Sequence, residues 1–300
     1  QPLRVIRAES ALRKAYPDMA WREIDLPAPD CAENMVRRVH TDKHVSHVRA
    51  LSAKGGGLLD WQTYCNAVTY NVSLLAIWAS MSAVDDVLEW KHGPVFSLSR
   101  PPGHHAEQGE AMGFCIFCNA AAAAFHALDR GCSSVAILDI DVHHGNGIQD
   151  CVAGEKRIRF ASLHQADAYP DADVQRESRA NTLNVPLKRG SGIKKVIAGL
   201  REEALPFLLG DDSDADDPSS SWCRPSLLIV AAGYDALAID PVAQLTLSPS
   251  DFNDISEILQ EAFDRQIVYV LEGGYHLEGM PQAVVSTLQP FDEIVRAAVE

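Results

Sequence analysis

The chain has 300 residues with 47% hydrophobic content, enough for one large core, and α/β domains often reach this length undivided. Its 41 acidic against 26 basic residues give a formal charge of −15, which excludes a surface built to grip phosphate backbones, because that affinity comes from Lys and Arg displacing counterions. Seven scattered cysteines do not form the dense, even framework of a disulfide-stapled secreted protein, so an intracellular protein of the cytoplasm or nucleus is expected. No run approaches the ~20 apolar residues that span a bilayer, and no membrane association is expected. The sequence starts at Gln1 rather than Met, so any targeting segment lies outside it.

In chain order, His40, His44 and His47 come first, in a polar, basic stretch without an acidic partner at regular spacing, which predicts a surface helix. From about residue 66 to 91, Leu74, Leu75, Ile77, Trp78, Met81, Val84, Val87 and Leu88 recur at helical spacing, and Gly93-Pro94 stops the pattern. His92 and His126 have no supporting neighbours. Cys115 and Cys118 form a Cys-x-x-Cys with no second pair, flanked by Phe114, Ile116 and Phe117, and read as core.

Short β-rich runs are predicted at Val95–Leu98, Val135–Ile140, Ile158–Leu163, Leu227–Ala231 and Ile267–Leu271. Helical stretches at Asn119–Asp129, Ile193–Leu209 and Ser248–Asp264 separate them. The alternation implies an α/β fold with a mostly parallel sheet covered by helices on both faces. Residues 1–300 are expected to form one domain, with the acidic stretch at about 210–222 a solvated loop.

In open α/β sheets ligands bind beyond the carboxyl ends of the strands. There the chain places Arg100-Pro-Pro-Gly-His104-His105, Asp139-Ile-Asp141-Val-His143-His144-Gly-Asn146, His164, Gly233-Tyr-Asp235 and Glu272-Gly-Gly-Tyr275. Alternate residues of an extended segment share a face, so Asp139, Asp141 and His143 project to one side. Asp141 and His143, joined by Asp235, make three ligands with an open position, as a catalytic zinc site requires. Such a metal acidifies a water towards a pKa of about 7. Buried carboxylates two residues apart beside paired histidines are costly unless paired or metal-bound. His104 or His105 offers a general base whose pKa depends on its partner, a carboxylate raising it and a neutral amide leaving it lower. Tyr275 offers a hydroxyl to a carbonyl oxygen that becomes negative in the transition state. The role of His276 stays open.

The blocks Arg100-Pro-Pro-Gly-His-His-Ala-Glu, Met112-Gly-Phe-Cys, Leu138-Asp-Ile-Asp-Val-His-His-Gly-Asn-Gly147, Ala232-Gly-Tyr-Asp235 and Leu271-Glu-Gly-Gly-Tyr275 closely resemble the zinc-dependent histone deacetylase family. The resemblance implies an arginase-like three-layer α/β/α fold and a chromatin-regulating hydrolase of N-acetyl-lysine in histones or other proteins. By the same resemblance, Asp141, His143 and Asp235 hold zinc and Tyr275 polarises the carbonyl. His104 and His105 match the tandem pair, the second as general base, with Asp139 partnering His104 and Asn146 partnering His105. Asn146, and tyrosine rather than histidine at 275, point to class II outside class IIa.

Gly113 and Phe114 match one wall of the acyl-lysine channel. Tyr169 stands for the other, where the family usually has phenylalanine. Ser162 and Leu163, with backbone carbonyls of Asp139, Asp141 and His143, match a structural monovalent cation site, potassium. Val242 occupies the position where polyamine-selective relatives carry a glutamate, which weakens a reading as deacetylase of acetylated polyamines or other small acetamides. Of two rivals, a binuclear manganese ureohydrolase needs Asp-x-His-x-Asp, and here the last position is Gly145. A catalytically silent acetyl-lysine binding module usually lacks a ligand or the tyrosine, and neither is missing.

Overall fold

The structure is a computed structural model describing residues 1–25, 30–90, 93–170, 178–179, 181–210 and 222–292. His92 and residues 211–221 of the acidic stretch lie outside the described residues. Ten α-helices are described: α1 (Pro2–Ala15), α2 (Asp30–Val39), α3 (Asp42–Ala53), α4 (Thr69–Trp90), α5 (Asn119–Asp129), α6 (Asn146–Cys151), α7 (Ile193–Gly199), α8 (Leu205–Leu209), α9 (Asp251–Phe263) and α10 (Gly279–Leu288). A two-stranded hairpin of β1 (Gly56–Leu58) and β2 (Tyr64–Asn66) stands apart from the main sheet.

That sheet contains β3 (Val95–Ser97), β4 (Val135–Asp139), β5 (Ile158–Gln165), β6 (Ser178–Arg179), β7 (Thr182–Leu187), β8 (Leu228–Ala232) and β9 (Ile267–Leu271) in the order β3-β9-β8-β4-β5-β7-β6. Every pairing is parallel except β6 with β7. All five residues of β4 are buried, as a strand covered on both faces must be. Val135 and Ile137 pack with α4 and α5, whereas Ala136 and Leu138 pack with α1, α9 and α10. Two apolar layers of helices therefore enclose the sheet, the three-layer α/β/α arrangement expected.

Strand β4 is followed by β5 on one side, and the chain later returns to lay β8 on the other. The order reverses between β4 and β8, which opens a crevice at their carboxyl ends.

Several expectations need correction. β7 was not expected, because Asn184 and Pro186 interrupt its apolar pattern. β6 pairs only Thr182 and Leu183 of β7, so Pro186 lies beyond that pairing, where a missing N–H is tolerated. β5 runs on to Gln165, so His164 is a strand residue and not the start of a loop. The stretch at 193–209 is helical throughout, with a π turn at Leu200–Ala204 just before Pro206, a geometry that relieves the missing proline N–H.

By length and composition, Thr69–Glu89 of α4 could cross a membrane, contrary to the sequence reading, and 56% of that window is buried inside the protein. His40 and His44 are buried, not on a surface helix, while His47 is exposed. His126 does have a neighbour, since its Nε2 lies 2.8 Å from Asp85 Oδ1.

Candidate metal centre and acyl channel

Beyond β4 the backbone is folded by its own carboxylates. Asp139 Oδ1 accepts the N–H of Asp141 at 3.0 Å, and Asp141 Oδ1 accepts that of His143 at 2.9 Å, short-range turns that Asp favours. From the end of β8, Asp235 Oδ1 accepts the N–H of Val142 at 3.0 Å and ties the two loops together. From the end of β9, Gly273 donates to Asp141 Oδ2 at 2.8 Å. Glycine is required at these approaches, because a Cβ on Gly233 would overlap the Asp141 carboxylate and one on Gly273 would overlap both Asp141 and Asp235.

The three side chains meet at one point. His143 Nδ1 is 3.0 Å from Asp141 Oδ1 and 3.3 Å from Asp235 Oδ2, and one ligand atom from each residue falls within 4.8 Å of the others. Both carboxylates are fully buried, and among the described residues Asp235 Oδ2 has no partner besides the His143 ring nitrogen. Burial opposes charge on His143, but hydrogen bonds to Asp141 and Asp235 outweigh it and push its pKa up to about 10. Burial, with the Asp141 charge behind it, raises Asp235 to about 6. The site thus demands a positive charge where the imidazole proton sits. Two carboxylates and a neutral imidazole in this arrangement fit a divalent cation of the zinc type.

The tandem histidines stand beside this cluster with their rings 3.9 Å apart. His104 Nδ1 is 3.0 Å from Asp139 Oδ2, and His105 Nδ1 is 2.7 Å from Asn146 Oδ1. Burial works against protonation of both. For His104 the charges of Asp141 and Asp139 overcome burial and raise its pKa well above the usual histidine value. For His105, burial and the neighbouring His104 charge lower it well below. The Asn146 carbonyl accepts from Nδ1, so neutral His105 presents an unprotonated Nε2.

Tyr275 follows Gly273-Gly274 at the end of β9. Burial, then the charges of Asp235 and Asp141, raise its phenol well above the ordinary value, so it keeps its proton and can donate. Its ring faces Phe114 at 6.0 Å. Gly113 sits against the rings of His105 and Tyr169, leaving no room for a Cβ. Tyr169 stands edge-on to His105 at 5.0 Å and to His143 at 6.3 Å. Phe114 is 45% exposed, and its backbone N–H is anchored on Thr63 Oγ1 at 3.0 Å. Val242 is exposed, and its N–H donates to Asp240 Oδ1 at 3.2 Å. Register pairs Ser162 with Asp139. The Ser162 Oγ lies 2.9 Å from His164 Nδ1, and Leu163 is buried.

Some neighbours of the site were not read from the sequence. Glu272 Oε2 accepts the N–H groups of Gly103 and His104 at 2.8 and 3.2 Å, orienting the tandem pair. With His104 it brings Cys115 into a second buried cluster. Arg4, on α1, donates to the carbonyls of Gly274 and Glu272 and lies over the Tyr275 ring. Asn146 is itself held by Glu107 at 2.8 Å. Glu272 and Glu107 stand inside the quoted blocks with no role legible there, and no motif marks Arg4, whose Gly274 partner lies 270 residues away in sequence. His276 Nδ1 accepts the N–H of Gly279 at 3.0 Å, a turn-closing role.

Two carboxylates and an imidazole beneath a neutral histidine and a protonated tyrosine, at the switch point of a doubly wound sheet, define a hydrolase class. The family described as Histone deacetylase domain matches residues 1–290, and the chain belongs to it. It is an amidohydrolase of the deacetylase type. The chain is 34% identical to the histone deacetylase-like amidohydrolase of Pseudomonas aeruginosa over 91% of its own length and 71% of that protein's. It is 31% identical to the polyamine deacetylase HDAC10 of Homo sapiens, over 96% of this chain and 44% of that one. The crystal structure of the HDA15 HD domain superposes with a TM-score of 0.84 at 27% identity, covering 98% of this chain and 82% of the other.

Proposed function

We propose that this chain is a class II-like deacetylase of N-acetyl-lysine side chains in proteins, including histones. In this reading Asp141, His143 and Asp235 hold one Zn2+. The observation that carries it is the buried convergence of those three side chains beside His105, with no partner for Asp235 Oδ2 among the described residues besides the His143 nitrogen. When bound, a zinc ion supplies Lewis acidity that polarises the acyl carbonyl and acidifies water.

The residues do the rest. Tyr275 donates its hydroxyl to the carbonyl oxygen as negative charge develops there. His105 Nε2, held in place by Asn146 on the opposite nitrogen, takes the proton of the attacking water and later returns it to the departing amine. His104, kept charged between Asp139 and Asp141, lends positive charge beside the oxyanion. Gly113 and Phe114 on one side and Tyr169 on the other form the walls of the acyl channel. Ser162 and Leu163, with carbonyls of Asp139, Asp141 and His143, hold a structural K+. Residues 1–300 act as one catalytic domain.

Gly145 supports a mononuclear centre, because a Cβ there would already collide with Asp139 and leave no space for a further carboxylate ligand. A second reading, deacetylation of polyamines or other small acetamides, draws support from the relative that bears the polyamine name. The negative charges of Asp60, Glu107 and Glu110, which help to raise Tyr169 towards 12 after burial, also favour a cationic substrate. Exposed, apolar Val242 speaks against it.

The test compares an acetyl-lysine peptide with an acetylated polyamine, with and without chelator, on wild type, Asp235→Ala and Tyr275→Phe. Chelator and both substitutions are expected to remove most turnover, and the peptide to be the better substrate. Higher kcat/KM on the polyamine would transfer the assignment to the second reading, and unimpaired Asp235→Ala would end the metal assignment.

A further inference from the structure

The turn that carries Tyr275 has no side chain of its own before the tyrosine and is held from outside. Gly273 and Gly274 precede the tyrosine, and Gly274 sits at φ +116°, so neither residue brings a side chain that could fix the direction of the chain. With the Gly273 N–H on Asp141, the Gly274 carbonyl on Arg4 and Arg4 over the tyrosine ring, the amide of Tyr275 itself is the point of the turn still to be gripped. Asp240 grips it. Its Oδ2 accepts the N–H of Tyr275 at 2.6 Å and that of His276 at 3.0 Å, and its Oδ1 accepts the N–H of Val242 at 3.2 Å. The side chain is buried, with only 6% of the residue exposed.

We propose that Asp240 is the positioning residue of Tyr275, and that its carboxylate holds the tyrosine turn in register with the Asp141, His143 and Asp235 cluster. The inference rests on the reading of Tyr275 as the carbonyl donor. Three points carry it. A carboxylate that accepts consecutive amides acts as a fixed clamp, because hydrogen bonds to an ionised acceptor are about twice as strong as neutral ones. Asp240 lies five residues beyond Asp235 in the same loop, so the residue that places the tyrosine is built onto the loop that supplies a proposed metal ligand. Its second oxygen engages Val242, which joins the exposed rim to the same clamp.

The clamp acts through Tyr275, and its signature is non-additivity. Kinetics are measured on the acetyl-lysine peptide for wild type, Asp240→Ala, Asp240→Asn, Tyr275→Phe and the two double variants, with metal content and thermal midpoint recorded for each. Asp240→Ala is expected to lower kcat by about 10- to 100-fold, the scale of a misplacement near 1 Å, with KM within about twofold and metal content unchanged. Asp240→Asn keeps one carbonyl oxygen for the Tyr275 amide and is expected to recover part of the loss. In the Tyr275→Phe background either substitution is expected to cost less than about twofold, because the group being positioned is gone.

Equal losses in both backgrounds, or a wild-type kcat in Asp240→Ala, would overturn the proposal while leaving the reading of Tyr275 intact. If Asp240→Ala does not fold, the Asp240→Asn cycle gives the same test. Wild-type turnover by Tyr275→Phe alone would overturn the tyrosine reading, and the positioning role with it.

Discussion

Two of the protein's buried histidine pairs share burial and ring contact but differ in what their nitrogens meet. The rings of His40 and His44 lie tilted 5.3 Å apart against Phe117, much as those of His104 and His105 lie tilted beside the candidate metal centre. Both nitrogens of His40 are occupied by backbone, Nδ1 donating to the Glu107 carbonyl at 2.8 Å and Nε2 accepting the N–H of Cys118 at 2.9 Å. That ring is locked in one neutral tautomer. Burial, helped by its neighbour His44, lowers its pKa to about 3, so it has no proton to exchange and no free nitrogen to exchange it with. His105 has one nitrogen engaged by the Asn146 amide and the other without a hydrogen bond among the described residues, and His104 answers to carboxylates. A buried histidine becomes chemical when a partner leaves one nitrogen free and sets its charge. When backbone fills both nitrogens it becomes a strut.

The largest expected effect separates the pairs outright. His105→Ala is expected to lower turnover by about 10²- to 10⁴-fold, the usual contribution of a general base, with little change in the unfolding midpoint. His40→Ala is expected to leave turnover per folded molecule within about twofold. An equal loss of kcat in both variants, read from the same assay, would erase the distinction.

Next in size is the partner effect. Asn146→Asp replaces a neutral acceptor with a charge and is expected to move the acid limb of the kcat/KM profile to higher pH by about one unit. An unmoved limb would detach the base from His105.

The stability effect of the strut is smaller. His40→Ala strands the Cys118 N–H and the Glu107 carbonyl and is expected to cost about 1–3 kcal/mol, the penalty of unsatisfied buried polar groups. Denaturant midpoints would show it, and a loss below about 0.5 kcal/mol would mean that those groups find other partners.

The last effect, of similar size, is a slope. His40 holds a folded pKa near 3, below the unfolded value of about 6.5, so between those limits only the unfolded chain takes up the proton. Its contribution to stability is complete above pH 6.5 and is lost as pH falls. At 25 °C the loss between pH 6.5 and 5 is about 1.6 kcal/mol. His40→Gln, which can keep a donor and an acceptor without titrating, is expected to flatten that part of the stability profile, and an unchanged slope would refute the assignment.

The sequence made the strand ends legible because chemistry and periodicity coincide there. Asp139, Asp141 and His143 alternate on one extended segment, and the structure brings the last two to Asp235. The tandem histidines and their separate partners were likewise readable. His40 and His44 were not, because their partners are backbone groups of residues 107, 116 and 118, and a carbonyl or an amide leaves no residue-type signature. Lys43 and Thr41 beside them gave the stretch a surface look, although α3 buries His44, Val45, Val48 and Ser52 on one face. β7 was obscured by Pro186 and Asn184 for a similar reason. Its strand character comes from pairing with β5 and not from its own composition. Arg4, Asp240 and Glu272 act on backbone atoms of the site, which explains why their roles were not legible, although Glu272 itself stands in the Leu271–Tyr275 block.

Elemental analysis of the purified chain beside Asp235→Ala tests the centre most directly. One zinc-type ion per wild-type chain, with the ion and the amidase activity both lost in a folded Asp235→Ala protein, is the expected result. Full activity in wild-type protein free of divalent metal, or an Asp235→Ala variant that keeps both ion and rate, would contradict it.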